Sequence, residues 1–182
     1  TKLMDSGIID EVTRAKIIAD AKFARAFVLF DIVRLWGAAP MALQLIPSIT
    51  AENLDEWYPI MYPARTPEED IYRQILNDLD QTTIDNLPSR NTGAFSGSKG
   101  AAYGLLAKVY AEKPLRDYNK VINYVDQITA DGFELVSNLN ELWGFDAETQ
   151  DAVARNTKES ILEQQYIKRY YDSKRTYNKC KK

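Results

Sequence analysis

Three acidic side chains stand next to one another at Glu68, Glu69 and Asp70, and paired carboxylates are the groups that hydrolyse glycosidic bonds. Such a pair needs one carboxylic acid whose pKa is raised by apolar surroundings, and none of these acids lies on an apolar background. Thr66 and Pro67 instead indicate a helix start, with Thr66 as the N-cap, Pro67 in the first turn and Glu69 completing a capping box. We therefore expect these carboxylates to stabilise a helix rather than to catalyse a reaction.

Two residue types that often perform catalysis or hold metals, His and Cys, are absent or nearly absent. The chain has no His, which removes the commonest metal ligand and general base, and its single Cys180 can form neither an internal disulfide nor a metal cluster. We expect no catalytic residue, no metal and no cofactor. The net charge of -3 argues against nucleic acid as a partner, since its phosphates require clustered Lys and Arg.

An aromatic segment carries the best candidate binding residues. Four prolines between residues 38 and 65 predict a long irregular loop, and bulky aromatic side chains concentrate within it. Flat aromatic faces with neighbouring amides and carboxylates suit the binding of a sugar. The candidate ligand-binding residues are Asn53, Asp55, Trp57, Tyr58 and Tyr62. The alternative is that the aromatics only pin the loop to the helices, and the sequence leaves both interpretations open.

The loop must be held by helices, and the longest is predicted over residues 10–36. Apolar residues recur there at spacings of three and four around most of the circumference, which predicts a helix buried on several sides. Asp10 is a suitable N-cap, while Gly37 and Pro40 mark the end. A second helix is predicted from the Thr66 start to about Thr83.

Three bulky or charged side chains of the long helix have predicted structural roles. Trp36, at the end of the buried stretch, is expected in the core. Arg25 and Arg34 are expected to make buried or half-buried hydrogen bonds, Arg34 with Asp31 three residues earlier.

A helical hairpin is predicted over residues 99–112 and 115–130, with Ser98 as the first N-cap and Gly132 closing the second helix. One expected contact face has the large, large, small, large order of a tetratricopeptide repeat. Its residues are Tyr103, Leu106, Ala107 and Tyr110, and the answering face is expected from Tyr118, Val121, Val125 and Ile128.

Several motifs follow one another in the order of a known family. The helix from Ala21 contains an Ala-Arg-Ala run, aromatics, Arg-Leu-Trp-Gly and then Pro40. The later motifs are Thr66-Pro67-Glu68-Glu69 with Ile71-Tyr72 and Asp78-Leu79-Asp80, Leu87-Pro88, the run from Lys99 to Tyr110, and Glu159-Ser160-Ile161-Leu162-Glu163. Over roughly residues 8–166 the chain resembles the SusD/RagB family of surface glycan-binding lipoproteins of Bacteroidota.

This resemblance implies a mainly α fold in which tetratricopeptide-like hairpins support long irregular loops. Residues 1–166 would form a single, partial SusD-like helical domain, truncated relative to the longer family members. Residues 167–182 are charged and rich in Tyr without a burial pattern, and we expect them to form a mobile tail. The implied function is non-enzymatic capture of oligosaccharides at the outer-membrane surface, for nutrient uptake by a SusC-like TonB-dependent transporter. The family carries a lipidated N-terminal cysteine that this chain lacks.

The sequence is therefore consistent with three functions. The first is glycan capture at the cell surface. The second is a helical-repeat scaffold for protein-protein interaction, which would use the hairpin and would keep working without the segment at residues 53–62. The third is a glycoside hydrolase with two carboxylates, which would release reducing sugar.

Overall fold

The computed structural model describes residues 9–46, 48–90, 97–146, 151–152 and 157–163. Within them the chain is mainly helical, as predicted, with two pairs of very short antiparallel strands. The helices are α1 (Glu11–Trp36), α2 (Leu54–Met61), α3 (Glu68–Asp78), α4 (Gln81–Asn86), α5 (Lys99–Ala111), α6 (Tyr118–Ala130) and α7 (Asn140–Trp143). The strands are β1 (Ala39–Pro40), β2 (Arg65–Thr66), β3 (Phe145–Asp146) and β4 (Asp151–Ala152). The predicted tail at 167–182 lies outside the described residues.

The long helix α1 is the centre of the packing, as its apolar circumference predicts. The Asp10 carboxylate caps it by accepting from the Thr13 backbone N–H at 2.9 Å. Helices α3, α4 and α5 all pack against it around one hydrophobic core. Its buried residues are Ala19, Phe23, Ala26, Leu29, Phe30 and Val33.

The expectation that Trp36 belongs to this core is wrong. Its side chain is 62% exposed. The buried stripe of α1 ends at Val33, and the three residues that follow it in the helix are exposed. Apolar periodicity indicates which residues share a face, but it does not indicate where the packing partners end.

An ion pair between the exposed Arg25 and the buried Asp78 joins α1 to α3. Arg25 donates from Nε to Asp78 Oδ2 at 2.7 Å and from Nη2 to Asp78 Oδ1 at 2.5 Å, and Gln74 Nε2 donates to the same Oδ1 at 2.9 Å. The structural pairing expected for Arg25 is confirmed. Arg34 instead forms its ion pair with Glu112, at 3.4 Å, and not with Asp31 as expected, so it links α1 to the end of α5.

Strands β1 and β2 hold the two ends of the aromatic segment together. They pair antiparallel, with Ala39 opposite Thr66 and Pro40 opposite Arg65. The Arg65 side chain adds a hydrogen bond from Nε to the Ala38 carbonyl at 2.9 Å. The segment between them therefore leaves the helical frame and returns to it at one place.

This strand pairing corrects the predicted start of α3. Thr66 lies in β2 and makes no side-chain cap, and the helix begins at Glu68, with the N–H of Asp70 and of Ile71 bonded to the Pro67 carbonyl. The backbone of Thr66 is extended because it pairs with a residue 27 positions earlier, which a capping pattern cannot reveal.

The predicted end of this helix at Thr83 is also wrong. Helix α3 stops at Asp78, and Asp80 then caps a separate helix α4 by accepting from the Thr83 N–H at 2.7 Å. The Asp80 side chain accepts a hydrogen bond from the backbone N–H three residues later in the chain. This bond favours a new helix start over continuation of α3.

The predicted hairpin of α5 and α6 is confirmed. Ser98 Oγ accepts from the Ala101 N–H at 3.1 Å, and Gly132 has a φ of 82° where α6 ends. The predicted contact face of α6 needs correction, because Tyr124 stacks between Tyr103 and Tyr110 at ring distances of 6.0 and 5.9 Å. Tyr118 and Val125 lie beside that face and are exposed, while Ile128 is buried as expected.

Gly100 on α5 is expected to tolerate no side chain. A Cβ there would overlap the Phe133 ring, which is buried and covered by the Arg90 guanidinium at 4.1 Å from its centroid. Gly100→Ala should therefore cost about 1–3 kcal/mol of stability through overpacking, measured by urea unfolding.

The matched control is Gly104→Ala on the same helix. Its Cβ would meet Ile161 Cγ2 only at 3.8 Å, so the better helix propensity of Ala should stabilise the fold by about 0.5–1 kcal/mol. Effects of the same sign at both glycines would contradict the packing described for Phe133.

Tyr72 on α3 gives an expected alkaline pH dependence. Its burial, together with the nearby carboxylates of Glu112 and Glu68, raises the pKa of its hydroxyl to about 12. The unfolded chain loses this proton near pH 10, so the free energy of unfolding should fall between about pH 10 and 12. Urea unfolding of Tyr72→Phe should show a shallower loss than wild type in that range, and an identical slope would contradict the assignment.

Candidate functional site

The candidate binding residues lie on and next to helix α2, within the segment tied by β1 and β2. The expectation that prolines exclude helix from this segment is wrong, because Pro59 lies inside α2. Its missing N–H removes one hydrogen bond, but bonds on either side remain, from Trp57 N to the Asn53 carbonyl at 3.2 Å and from Tyr62 N to the Tyr58 carbonyl at 3.0 Å. The fixed φ of proline is itself compatible with a helix.

Asn53 orders the turn that leads into α2. Its Oδ1 accepts from the Thr50 backbone N–H at 2.8 Å, and its Nδ2 donates to the Ser48 carbonyl at 3.1 Å. The amide is therefore engaged within the segment. This arrangement supports a structural role for Asn53, and contact with a ligand stays a prediction.

Two tyrosines dominate the exposed side of α2. Tyr58 and Tyr62 are 57% and 66% exposed, and their ring centroids lie 4.9 Å apart with an interplanar angle of 40°. They are four residues apart, which places them one turn from each other on the same side of a helix. The exposed Leu54 precedes Tyr58 by one turn on that side, and the exposed Asp55 lies three residues before Tyr58. We call Leu54, Asp55, Tyr58 and Tyr62 the tyrosine face.

Trp57 lies away from the tyrosine face. It is half-buried, as are Ile60 and Met61, and it stands about 100° around the helix from Tyr58. The structure thus brings Asp55, Tyr58 and Tyr62 to one side of α2 and places Trp57 on another. Half-burial is what the alternative interpretation expects, in which an aromatic side chain pins the segment to the helices.

The chain segment that carries the tyrosine face is acidic. The sequence contains no Lys or Arg between Arg34 and Arg65, whereas Glu52, Asp55 and Glu56 all lie in that interval. A hydrogen bond with the Thr50 side chain lowers the pKa of Glu52, which therefore carries its negative charge at neutral pH. The electrostatic environment along this part of the chain is thus acidic.

Two grooves lie elsewhere and contain none of the predicted site residues. One of about 390 Å³ is bounded by α1, α5 and residues 157–163, with Lys108 and Glu159 among its polar lining. The other, of about 580 Å³, lies between the first half of α1 and residues 85–88, where the Asp20 carboxylate accepts from the Gly97 N–H at 2.5 Å. Their linings come from separate parts of the chain, so no local pattern marks them in the sequence.

The described residues offer little for other kinds of site. Among them, no cluster of three or more His, Cys, Asp or Glu side chains could hold a metal ion. Asp70, one of the three adjacent acids, pairs with Arg73 at 2.7 Å at the start of α3. No helix within the described part of the chain is long and apolar enough to cross a membrane.

Two comparisons with known proteins find similarity to SusD-like proteins. No family model matches the chain. A curated SusD-like protein of Bacteroides ovatus is 26% identical over 171 residues, covering 88% of this chain and 28% of that protein. A solved SusD superfamily structure from Bacteroides vulgatus, 25% identical, superimposes with a TM-score of 0.67 over 90% of this chain and 32% of its own.

A surface glycan-binding protein A from Bacteroides uniformis has a similar fold, with a TM-score of 0.62 at 18% identity, over 82% of this chain and 32% of its own. The chain thus spans about a third of the length of the proteins that it matches. The predicted resemblance is therefore confirmed: over most of its length this chain is SusD-like in sequence and in fold.

Proposed function

We propose that this chain belongs to a protein that binds oligosaccharides without catalysis at the bacterial outer-membrane surface. The support is its similarity to SusD-like proteins, among which one relative of similar fold is a surface glycan-binding protein and another a SusD-like carbohydrate binding protein. Residues 1–166 would form the partial SusD-like domain, and the contacts proposed below lie within it.

One observation carries the assignment of the binding surface, namely the exposed pair Tyr58 and Tyr62. Because both rings are largely exposed, they contribute little burial energy to the stability of the fold. A sugar ring that packs against them would remove apolar surface from water. Each exposed ring offers apolar surface to the C–H side of a pyranose. Asp55 beside them offers a carboxylate to the hydroxyl groups.

The test is thermal unfolding by circular dichroism with a panel of plant and host oligosaccharides. A sugar that binds only the folded form, at a hundred times its dissociation constant, should add about 2.7 kcal/mol of stability. We expect one glycan class to raise the melting temperature of wild type and to have no effect on a Tyr58→Ala, Tyr62→Ala double variant.

Tyr118→Ala is the matched control, because Tyr118 is also a 59% exposed tyrosine but lies on α6. That variant should keep the full thermal shift. A shift that survives in the double tyrosine variant would remove the tyrosine face from the proposal. Trp57→Ala distinguishes the predicted contact role of Trp57, which would lower the shift, from a pinning role, which would lower the melting temperature without sugar.

Non-enzymatic binding is supported by the placement of the acids. Asp70 is paired with Arg73, and Glu68 and Glu69 lie exposed in the first turn of α3, where they favour the helix dipole. A hydrolase would need a pair of carboxylates in two different environments. Release of reducing sugar from the glycan that gives the thermal shift would contradict the proposal.

On the family resemblance, we also propose that the protein delivers the sugar to a SusC-like TonB-dependent transporter. We propose on the same basis that a lipid anchor holds it at the cell surface. Co-purification of the full-length protein with such a transporter from outer membranes tests this part separately. Its failure would leave sugar binding by the tyrosine face in place.

The helical-repeat scaffold remains a second candidate because α6 exposes an apolar stripe. Tyr118, Ile122 and Val125 recur on one side of the helix, and all three are exposed. A protein partner that docks there would be lost on Ile122→Glu and retained by the double tyrosine variant, which is the reverse of what glycan capture predicts.

A further inference from the structure

The tyrosine face carries a negative charge on its own side of α2. Asp55 is three residues before Tyr58, so the two side chains are neighbours on the helix surface, with Cβ atoms about 5–6 Å apart. Glu56 carries the same charge but lies about 160° around the helix from Tyr58, on the other side of α2. Both carboxylates are exposed, so they differ chiefly in the side on which they stand.

The two arginines that flank the segment each contact another part of the chain. Arg34 pairs with Glu112 at 3.4 Å and lies over the Phe30 ring at 5.1 Å. Arg65 donates to the Ala38 carbonyl at 2.9 Å. A negatively charged ligand on the tyrosine face would therefore meet the Asp55 carboxylate on the same side of α2, and the chain between Arg34 and Arg65 has no Lys or Arg to offset that charge.

The tyrosine rings, like the Asp55 carboxylate, favour a positively charged ligand. The face of an aromatic ring is electron-rich and attracts a cation placed within about 6 Å of its centroid. Two such rings stand next to a carboxylate here, which is a chemical arrangement that recognises an ammonium group. The rings and the carboxylate both disfavour an anion.

We propose that the tyrosine face selects its sugar by charge: saccharides with a free ammonium group bind more tightly than neutral ones, and saccharides with carboxylates are rejected. This inference rests on the proposed function, because it concerns the ligand class of the same surface.

The expected size of the discrimination follows from Coulomb's law. Two unit charges about 6 Å apart in water interact strongly enough to change an affinity about threefold. Amine-bearing and carboxylate-bearing sugars should therefore differ about tenfold, with the neutral sugar between them. The difference should shrink as salt is raised from about 0.02 M to 0.5 M, since the charges are exposed and screened.

The experiment compares three β-1,4-linked trisaccharides of the same ring configuration, made of glucosamine, glucose or glucuronic acid. Their affinities are measured by calorimetry at about pH 5.5, where the amines are protonated and aspartate and glutamate carboxylates are ionised. We expect the order glucosamine, glucose, glucuronic acid in wild type. Asp55→Asn should bring the three affinities to within about threefold of one another.

Glu56→Gln is the matched control, because it removes the same charge from the same turn but from the other side of the helix. It should retain most of the tenfold range, and both variants should keep the circular dichroism spectrum of wild type. Equal effects of the two variants, or equal affinities for the three sugars, would overturn charge selection while leaving sugar binding in place. Failure of all three trisaccharides to bind would overturn charge selection even if another sugar of the panel binds. Failure of the whole oligosaccharide panel as well would overturn the proposed function together with this inference.

Discussion

Arg25→Met is expected to lower the free energy of unfolding by about 3–5 kcal/mol. The substitution keeps the apolar stem of the side chain but leaves the Asp78 carboxylate, which is 2% exposed, without its positive partner. Gln74 would remain as a hydrogen-bond donor, but a neutral amide offsets only part of the cost of a buried charge. Urea unfolding followed by circular dichroism measures the loss.

The control is Arg73→Met, which breaks the ion pair of Arg73 with Asp70 on the surface of the same region. Because both of those side chains are exposed, the loss should be below about 1 kcal/mol. Replacing both partners, in Arg25→Met with Asp78→Leu, should recover much of the stability, since no charge is then buried alone. If Arg25→Met lowered stability as little as Arg73→Met, the Asp78 carboxylate would have to reach water when Arg25 is absent.

Phe23→Ala is expected to be similarly costly, at about 3–5 kcal/mol. Phe23 is fully buried at the centre of α1, and its ring lies 6.2 Å from that of Phe27. The substitution would remove the burial energy of the Phe23 ring. It would also leave a cavity that the closely packed helices cannot fully close. The midpoint of urea unfolding should fall while the dependence of the free energy on urea stays the same.

Val28→Ala on the same helix is the control for this second prediction. Val28 is exposed, so its truncation should change stability by no more than about 0.5 kcal/mol, and alanine is the better helix former. If Val28→Ala proved as destabilising as Phe23→Ala, the buried side of α1 would have been assigned wrongly.

Both destabilising variants act on the frame that positions the tyrosine face. The Arg25–Asp78 pair holds α1 against α3, and β1 and β2 extend from the adjacent ends of those two helices. The segment that carries α2 is therefore positioned by contacts far from the tyrosines. We expect loss of sugar binding in these variants to follow their loss of stability, whereas the tyrosine variants should lose binding alone.

Signals that act within a few residues were readable from the sequence. The caps at Asp10 and Ser98 each bond to an N–H three residues ahead, and Gly132 supplies a positive φ where α6 ends. The apolar periods of α1, α5 and α6 and the order of the family motifs belong to the same kind of information. The sequence by itself therefore determined the mainly helical fold, the hairpin, the family resemblance and the segment that holds the candidate ligand contacts.

Tertiary structure decided what depends on partners distant in the chain. Thr66 pairs with Ala39 instead of capping α3, and Arg34 pairs with Glu112 instead of Asp31. Trp36 is exposed although it follows a buried apolar stretch. The candidate site follows the same rule, because aromatic composition marked the segment but could not separate Trp57 from the tyrosine face. Trp57 and the tyrosines lie on different sides because the helix continues through Pro59 and exposes one side to solvent. The orientation of a helix depends on long-range packing rather than on local sequence.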